Sequence, residues 1–136
     1  MNSLKRTSHH LSVCSANFRR LKKLLNNFDE SSFNFAIDEG QSMANFKIID
    51  QQRHTLLLET KQLTANKILS FKFRIQIFLD AKLAEVVSFQ NEQPVPFFVI
   101  KPRSQSLDEK FQQNQMLTEW LELIFLRGMV GNALLP

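Results

Sequence analysis

The sequence predicts an α+β fold with an N-terminal helix, an antiparallel sheet of about five or six strands, and a C-terminal helix packed on the sheet. Apolar residues recur three and four positions apart near both ends of the chain, which indicates amphipathic helices. Between them, apolar and polar residues alternate, and short connections favour antiparallel pairing. The 136 residues, 43% of them hydrophobic, suffice for one domain with a sizeable core. We expect a flexible basic arm at residues 1–10 and a single domain at residues 11–136.

The first helix is predicted from an apolar stripe that ends near Asn26-Asn27, a pair typical of helix ends. The stripe consists of Leu11, Cys14, Phe18, Leu21 and Leu25. The basic residues of this helix point mostly away from the stripe and are Arg19, Arg20, Lys22 and Lys23. These four cations are candidate contacts for nucleic acid or another anionic surface, with weak and salt-dependent binding. No aromatic residue lies among them to stack on a base, and the alternative is a solvated helix face.

The basic character is concentrated at the N-terminal end of the chain. Residues 1–28 contain six basic groups and no acid, although the net charge of the whole chain is only +4. Any attraction for a polyanion therefore belongs to the first helix and the arm before it.

The strands are predicted from the alternation of apolar and polar side chains. Phe33, Phe35 and Ile37 alternate with polar or small residues, which is typical of a half-buried strand. We place further strands around residues 46–48 with an end near 50–52, and at about 54–61, 71–79, 82–89 and 95–101. The last is expected to be an edge strand, because the prolines at positions 94, 96 and 102 cannot donate ladder hydrogen bonds.

The register of the hairpin at residues 80–81 decides where Glu85 points. A two-residue loop would place Ile77 opposite Ala84 and Gln76 opposite Glu85, with the carboxylate outside the core. A three-residue loop would place Glu85 opposite Ile77, where burial of the carboxylate is costly. We therefore expect the two-residue loop.

With this register, four large apolar side chains share the outer face of the sheet, away from Ile75 and Ile77. They are Phe78, Leu83, Val87 and Phe89. A soluble monomer rarely leaves such a patch bare, so we expect a cover from a helix, the arm or a partner. These residues are candidate interface residues, and an identical subunit related by a two-fold axis is one possible partner.

The last helix is predicted between Ser106 and Gly128. Ser106 and Glu109 form a capping-box pattern at its start, and Gly128 is a typical residue after a helix end. Lys110 and Asn114 are the two polar residues on its apolar stripe.

Lys110 and Asn114 are neighbours on one helical face and, with Asn17 of the first helix, form a candidate pocket to which Glu85 is added. A cation and two amides would suit an anionic or amide ligand. The alternative is a structural network, in which Asn114 bonds backbone carbonyls and the Lys110 stem covers apolar surface.

The sequence predicts no catalytic residue, no cofactor and no metal site. Three glycines cannot form a phosphate-binding loop, and one cysteine with three histidines makes no zinc motif. Cys14 is interpreted as a core residue and His9-His10 as part of the arm. No apolar run approaches the ~18 residues of a membrane-spanning helix, and no signal peptide is visible. We expect a cytoplasmic protein without membrane contact.

Three blocks of residues carry a family resemblance. They are Val13-Cys14-x-x-Asn17-Phe18-x-x-Leu21-x-x-Leu24-Leu25, Asp80-Ala81-x-x-Ala84-Glu85-Val86, and Asp108-Glu109-Lys110-x-x-x-Asn114-Gln115-x-Leu117-x-x-Trp120-Leu121. Through them the chain resembles the YqiB-like proteins, a bacterial family of unknown function. The resemblance implies a small cytoplasmic α+β protein and supplies no activity. Before the Asp-Ala pair, family members usually have Arg-Leu-Tyr-His, where this chain has Gln-Ile-Phe-Leu, so any chemistry by that tyrosine or histidine would be lost here.

These observations favour a non-enzymatic module that binds an unknown protein partner. One alternative is a small-molecule-binding or hydrolytic protein that uses the interhelical pocket, and another is weak nucleic-acid binding through the first helix. An enzyme requires convergent titratable groups around a concave site, whereas an interaction module exposes an apolar or charged patch.

Overall fold

The computed structural model describes residues 2–64, 69–91, 107–130 and 133–134. Its elements are, in chain order, α1 (Asn2–Leu24), a short 3-10 turn (Asn26–Phe28), β1 (Ser32–Ile37), β2 (Ser42–Gln51), β3 (Thr55–Thr64), β4 (Leu69–Phe78), β5 (Leu83–Asn91), α2 (Leu107–Arg127), β6 (Gly128–Val130) and β7 (Ala133–Leu134). The predicted α+β class and the order helix, antiparallel sheet, helix are confirmed. The expected strand at 95–101 and the capping residue Ser106 lie outside the described residues.

The sheet is an antiparallel meander extended by two short strands. Consecutive strands from β1 to β5 pair with one another, and among the described strands β5 is the end strand on that side. On the other side β6 pairs with β1, and β7 pairs with β6. We did not predict β6 and β7, because strands of two or three residues are too short to show an alternating pattern.

Helix α1 begins at Asn2, nine residues before Leu11, the first residue of the predicted apolar stripe. The helical backbone extends through residues whose sequence shows no apolar stripe. Leu11 itself is 47% exposed, and the buried stripe starts only at Cys14. Independent movement of residues 1–10 stays a prediction. Within the described ranges, no helix combines the length and apolar character needed to cross a bilayer.

The end of α1 is a left-handed turn, in agreement with the predicted stop near Asn26-Asn27. Asn26, Asn27 and Phe28 have φ angles of 49°, 61° and 57°. Asparagine tolerates this region better than most residues, and Asn26 Nδ2 donates to Asp29 Oδ2 at 2.8 Å. The turn redirects the chain from α1 into β1.

The core lies between both helices and one face of the sheet, here called the inner face. The Trp120 ring of α2 stacks on Phe46 at 5.3 Å between centroids and lies 5.9 Å from Phe73. Its indole N–H donates to Gln62 Oε1 at 2.7 Å, which satisfies the polar end of the buried ring. The buried sheet residues of this face are Phe35, Ile37, Ala44, Phe46, Leu56, Leu58, Thr60, Phe73, Ile75, Ile77, Ala84 and Val86.

The register predicted for the hairpin between β4 and β5 is confirmed near the turn. Ile77 pairs with Ala84, and Gln76 pairs with Glu85. Ile77 and Ala84 are fully buried, so Glu85 alternates away from the inner face.

A β-bulge at Val87 then interrupts this register. Ile75 pairs with Val86, whereas Arg74 pairs with Ser88, so Val87 is the extra residue. A shift of one residue moves every following side chain of β5 to the other face.

Phe89 therefore belongs to the inner face, and its assignment to the outer face was wrong. It pairs with the buried Phe73. The Phe89 ring centroid lies 5.0 Å from that of Phe73 and 6.2 Å from that of Phe71. The bulge thus converts a predicted interface residue into a core-packing residue.

The three other candidate interface residues remain partly accessible. Phe78 is 38% exposed, Val87 is 43% exposed, and Leu83 is half-buried. Helices α1 and α2 cover the inner face, so neither provides the cover that we expected for this patch. An interface with a partner or a second subunit at these residues stays a prediction.

Candidate functional site

Asn114, in the middle of α2, is fully buried beside the end strand β5. Its Oδ1 accepts a hydrogen bond from the Val86 backbone N–H at 2.9 Å, and its Nδ2 donates to the Lys110 carbonyl at 2.7 Å. A buried strand-edge N–H without a partner would be costly. The predicted inward orientation of Asn114 is confirmed, and this side chain ties α2 to the sheet.

Asn17 links α1 to the same point of α2. Its Nδ2 donates to the Asn114 carbonyl at 3.1 Å. Its Oδ1 accepts from Thr118 Oγ1 at 2.9 Å and from the Arg20 guanidinium at 3.0 Å. Because Asn17 is fully buried and bonded on both sides, its geometry matches the structural network rather than an open pocket.

Glu85 divides its two carboxylate oxygens between the helices. Its Oε1 lies 2.6 Å from Lys110 Nζ of α2, and its Oε2 lies 3.5 Å from His10 Nε2 of α1. The Glu85 and Lys110 side chains are 26% and 34% exposed. The result is a half-buried ion pair with a histidine beside it, at the edge of the sheet.

The buried side chain of Cys14 lies next to this ion pair and its histidine. Its Sγ lies 3.6 Å from His10 Nε2 and 3.9 Å from Asn114 Oδ1. Burial raises the pKa of the Cys14 thiol to about 12, with a further contribution from the Glu85 carboxylate that Lys110 partly offsets. At neutral pH the thiol therefore keeps its proton, whereas a catalytic cysteine needs a lowered pKa.

The contacts of His10 do not form a proton relay. In a nucleophile–histidine–carboxylate triad, the two ring nitrogens face different partners. Here the Cys14 sulfur and the Glu85 oxygen both approach the same nitrogen, Nε2. The sulfur, the nitrogen and the oxygen are thus grouped closely together, as the ligands of a metal ion are.

The structure brings together all four residues of the predicted pocket, namely Asn17, Glu85, Lys110 and Asn114. Sequence reasoning missed His10 and Cys14 as their neighbours. Their spacing of four residues places them on one face of a helix, but our predicted helix started after His10. The three sequence blocks that carry the family resemblance all contribute residues to this cluster.

The predicted basic surface forms a shallow groove with a volume of about 340 Å³ between α1 and α2. Its lining consists of Ala16, Arg19, Arg20, Lys23 and Phe125. Lys23 Nζ lies 5.8 Å from the centroid of the half-buried Phe125 ring. Sequence reasoning missed Phe125, because about 100 residues separate it from the cations.

The cations of this surface are not equivalent. Arg20 is held by two contacts, one to Asn17 Oδ1 and one to Glu122 Oε1, both at 3.0 Å. Among the residues that the structure describes, Arg19 makes a long contact of 3.4 Å to Ser15 Oγ within α1. Lys22 is exposed on the same turn of the helix but does not line the groove. Arg20 is thus part of the scaffold, and Arg19, Lys22 and Lys23 are the cations best placed for an external anion.

A second groove, of about 560 Å³, lies where the left-handed turn meets β2. Its lining includes the acids Asp29, Glu30 and Asp50. Elsewhere, His54 Nδ1 lies 2.7 Å from Asp80 Oδ2 in an exposed pair. These groups are separate from the polar cluster, and sequence reasoning assigned neither of them a site.

Comparison with known proteins gives a family but no activity. Residues 20–129 match the family model described as protein of unknown function (DUF1249). The chain is 27% identical over 129 residues to the uncharacterized protein YqiB of Escherichia coli K12, covering 88% of each chain. The YqiB proteins of E. coli O6:H1 and O157:H7 match with the same identity and coverage. No solved structure matches the chain.

Proposed function

We propose that this chain, which belongs to the DUF1249 family of proteins of unknown function, is a non-enzymatic interaction protein. Its ligand in this proposal is single-stranded nucleic acid, and its binding surface is the groove between α1 and α2. A cytoplasmic location, where such ligands are available, is part of the proposal.

One observation carries the proposal: an aromatic ring lies among cations in a solvent-open groove. Arg19 and Lys23 line the same groove as Phe125, and the Lys23 ammonium approaches the ring to 5.8 Å. Proteins that bind single strands without sequence preference combine cations for the phosphates with aromatic rings for the bases. The groove contains both groups within one surface.

A non-enzymatic role is supported by the state of the polar cluster. The only thiol among the cluster residues described here, that of Cys14, is 1% exposed, and burial raises its pKa to about 12. The amides of Asn17 and Asn114 are engaged in contacts between α1, α2 and β5. The thiol of the cluster is thus neither accessible nor activated.

The number of available cations sets the expected strength of binding. Arg20 is neutralised by Glu122, which leaves Arg19, Lys22 and Lys23. Three phosphate contacts to a single strand predict a slope of about −2 for the logarithm of affinity against the logarithm of salt concentration. Binding should therefore be readily measurable only at low ionic strength.

The test is fluorescence anisotropy with a labelled oligothymidylate of about 12 nucleotides, a length within the site sizes of single-strand binding modules. We expect binding to the wild-type protein and its loss in the triple variant Arg19→Gln, Lys22→Gln, Lys23→Gln. The matched control is Lys47→Gln, Arg53→Gln, Lys82→Gln, which removes the same charge from exposed positions outside the helices and should retain binding.

Phe125→Leu separates base stacking from simple charge attraction. Loss of one stacking ring should weaken oligothymidylate binding by roughly fivefold to 100-fold while the folded structure, checked by circular dichroism, persists. Polyglutamate offers charge without bases and should bind more weakly than the oligonucleotide. Equal binding of both polyanions, with no effect of Phe125→Leu, would contradict the proposal.

A further inference from the structure

Three potential metal ligands of different chemistry converge where α1 meets β5. The Cys14 Sγ, a ring nitrogen of His10 and a carboxylate oxygen of Glu85 all lie within 4.8 Å of one another. Among the described residues, no other three His, Cys, Asp or Glu side chains come together in this way. The basic groove lies on other residues, so this cluster is independent of the proposed nucleic-acid site.

Two of the three separations match those between ligands of a single small ion, and the third is within 4.8 Å. Tetrahedral zinc, with bonds of about 2.3 Å to sulfur and about 2.0–2.1 Å to nitrogen and oxygen, holds a sulfur and a nitrogen ligand about 3.6 Å apart. The same geometry holds nitrogen and oxygen ligands about 3.3 Å apart. The observed distances from His10 Nε2 are 3.6 Å to Cys14 Sγ and 3.5 Å to Glu85 Oε2.

We propose that His10, Cys14 and Glu85 bind a divalent transition-metal ion of the zinc class. Thiolate, imidazole and carboxylate are the three protein ligands that zinc uses. His10 and Cys14 are four residues apart on α1, so the helix presents both on one face. With three protein ligands, a fourth position of the ion remains for water or another small ligand.

The surrounding residues orient the ligands. Lys110 holds Glu85 Oε1 at 2.6 Å, which leaves Oε2 directed at His10 and at the proposed ion. Asn114 Oδ1, 3.9 Å from Cys14 Sγ, is itself fixed by the Val86 N–H. Such outer contacts commonly position metal ligands. Binding of the ion would release the proton of the Cys14 thiol to solvent. The thiolate and the Glu85 carboxylate would then face both the ion and the Lys110 ammonium.

The direct test is titration of the purified, untagged protein with Co²⁺, which reports thiolate ligation through a sulfur-to-metal charge-transfer absorption. We expect one equivalent to bind, with that band present, and Zn²⁺ to displace the Co²⁺. Binding should also raise the melting temperature, because the ligands come from two separate elements. A protein that binds no Co²⁺ stoichiometrically would overturn the proposal.

Single substitutions identify the ligands. Cys14→Ser should abolish the charge-transfer band, and His10→Gln and Glu85→Gln should each weaken binding by at least about tenfold. His10 lies at the edge of the core with 16% of its side chain exposed, so His10→Gln is informative even where Cys14→Ser folds poorly. The matched control is His54→Gln, which removes the histidine of the exposed pair with Asp80 and should leave binding unchanged. Retention of wild-type affinity in both His10→Gln and Glu85→Gln, or equal losses in the His54 control, would contradict the assignment.

Discussion

Asn114 is a polar residue on the apolar stripe of α2, and the fold nevertheless requires it. An alanine at this position would leave the Val86 N–H buried without its acceptor. We predict that Asn114→Ala lowers the free energy of unfolding by about 1–3 kcal/mol, as measured by urea denaturation. The control is Gln112→Ala, at an exposed position of the same helix, which should change it by less than about 0.5 kcal/mol. Equal effects of both variants would show that Asn114 has no special role.

Burial of the Cys14 thiol should make the protein less stable as the pH rises above 9. Its thiol pKa rises from 9.0 in an exposed thiol to about 12 in the fold, so above pH 9 the unfolded chain holds fewer protons than the folded one. The contribution of the protonated Cys14 thiol to the free energy of unfolding is therefore complete below pH 9, and it is lost as the pH rises toward 12. We predict a loss of about 1 kcal/mol between pH 9 and 10 that is absent in Cys14→Ser. Parallel pH profiles of the two proteins in urea denaturation, with metal excluded by a chelator, would contradict this.

At the scale of the element, the hairpin between β4 and β5 contains a strained position. Lys82 has a φ of 58° and an exposed side chain. A left-handed conformation costs a non-glycine residue about 1–2 kcal/mol, and glycine recovers part of this after its own entropy cost. We predict that Lys82→Gly raises the free energy of unfolding by about 0.5–1 kcal/mol. Lys82→Ala keeps the strain and serves as the control, so an equal gain in that variant would disprove the explanation.

At the scale of the whole molecule, the bulge at Val87 decides which aromatic residues join the core. Phe89 packs against Phe71 and Phe73, so Phe89→Asp would place a carboxylate in apolar surroundings. We predict a loss of about 2–4 kcal/mol in stability without a change in mass by light scattering. Val87→Asp, two residues away at an exposed position, should change stability by less than about 0.5 kcal/mol. A change in mass caused by Phe89→Asp alone would instead indicate a subunit interface at Phe89.

Much of the fold was predictable because its patterns are local. The alternation of Phe33, Phe35 and Ile37 and the stripe through Phe18 and Leu21 encode which side of each element is buried. The same reasoning located α2 and strands β1 to β5, although β2 begins four residues earlier and β3 ends three residues later than predicted. It also determined that Asn114 faces the interior. The start of α1 was missed, because residues 2–10 are helical without an apolar stripe.

The sequence by itself determined the α+β class, the order of the elements, the register beside the hairpin turn and the inward orientation of Asn114, since each depends on neighbours in the chain. Only the tertiary structure decided that Phe89 faces the core, because the alternating pattern alone does not show at which residue a strand bulges. Only packing brought His10 and Cys14 of α1 to Glu85 of β5, and Phe125 of α2 to the cations of α1. These contacts depend on how the helices pack against the sheet, and that packing involves core residues from the whole length of the chain.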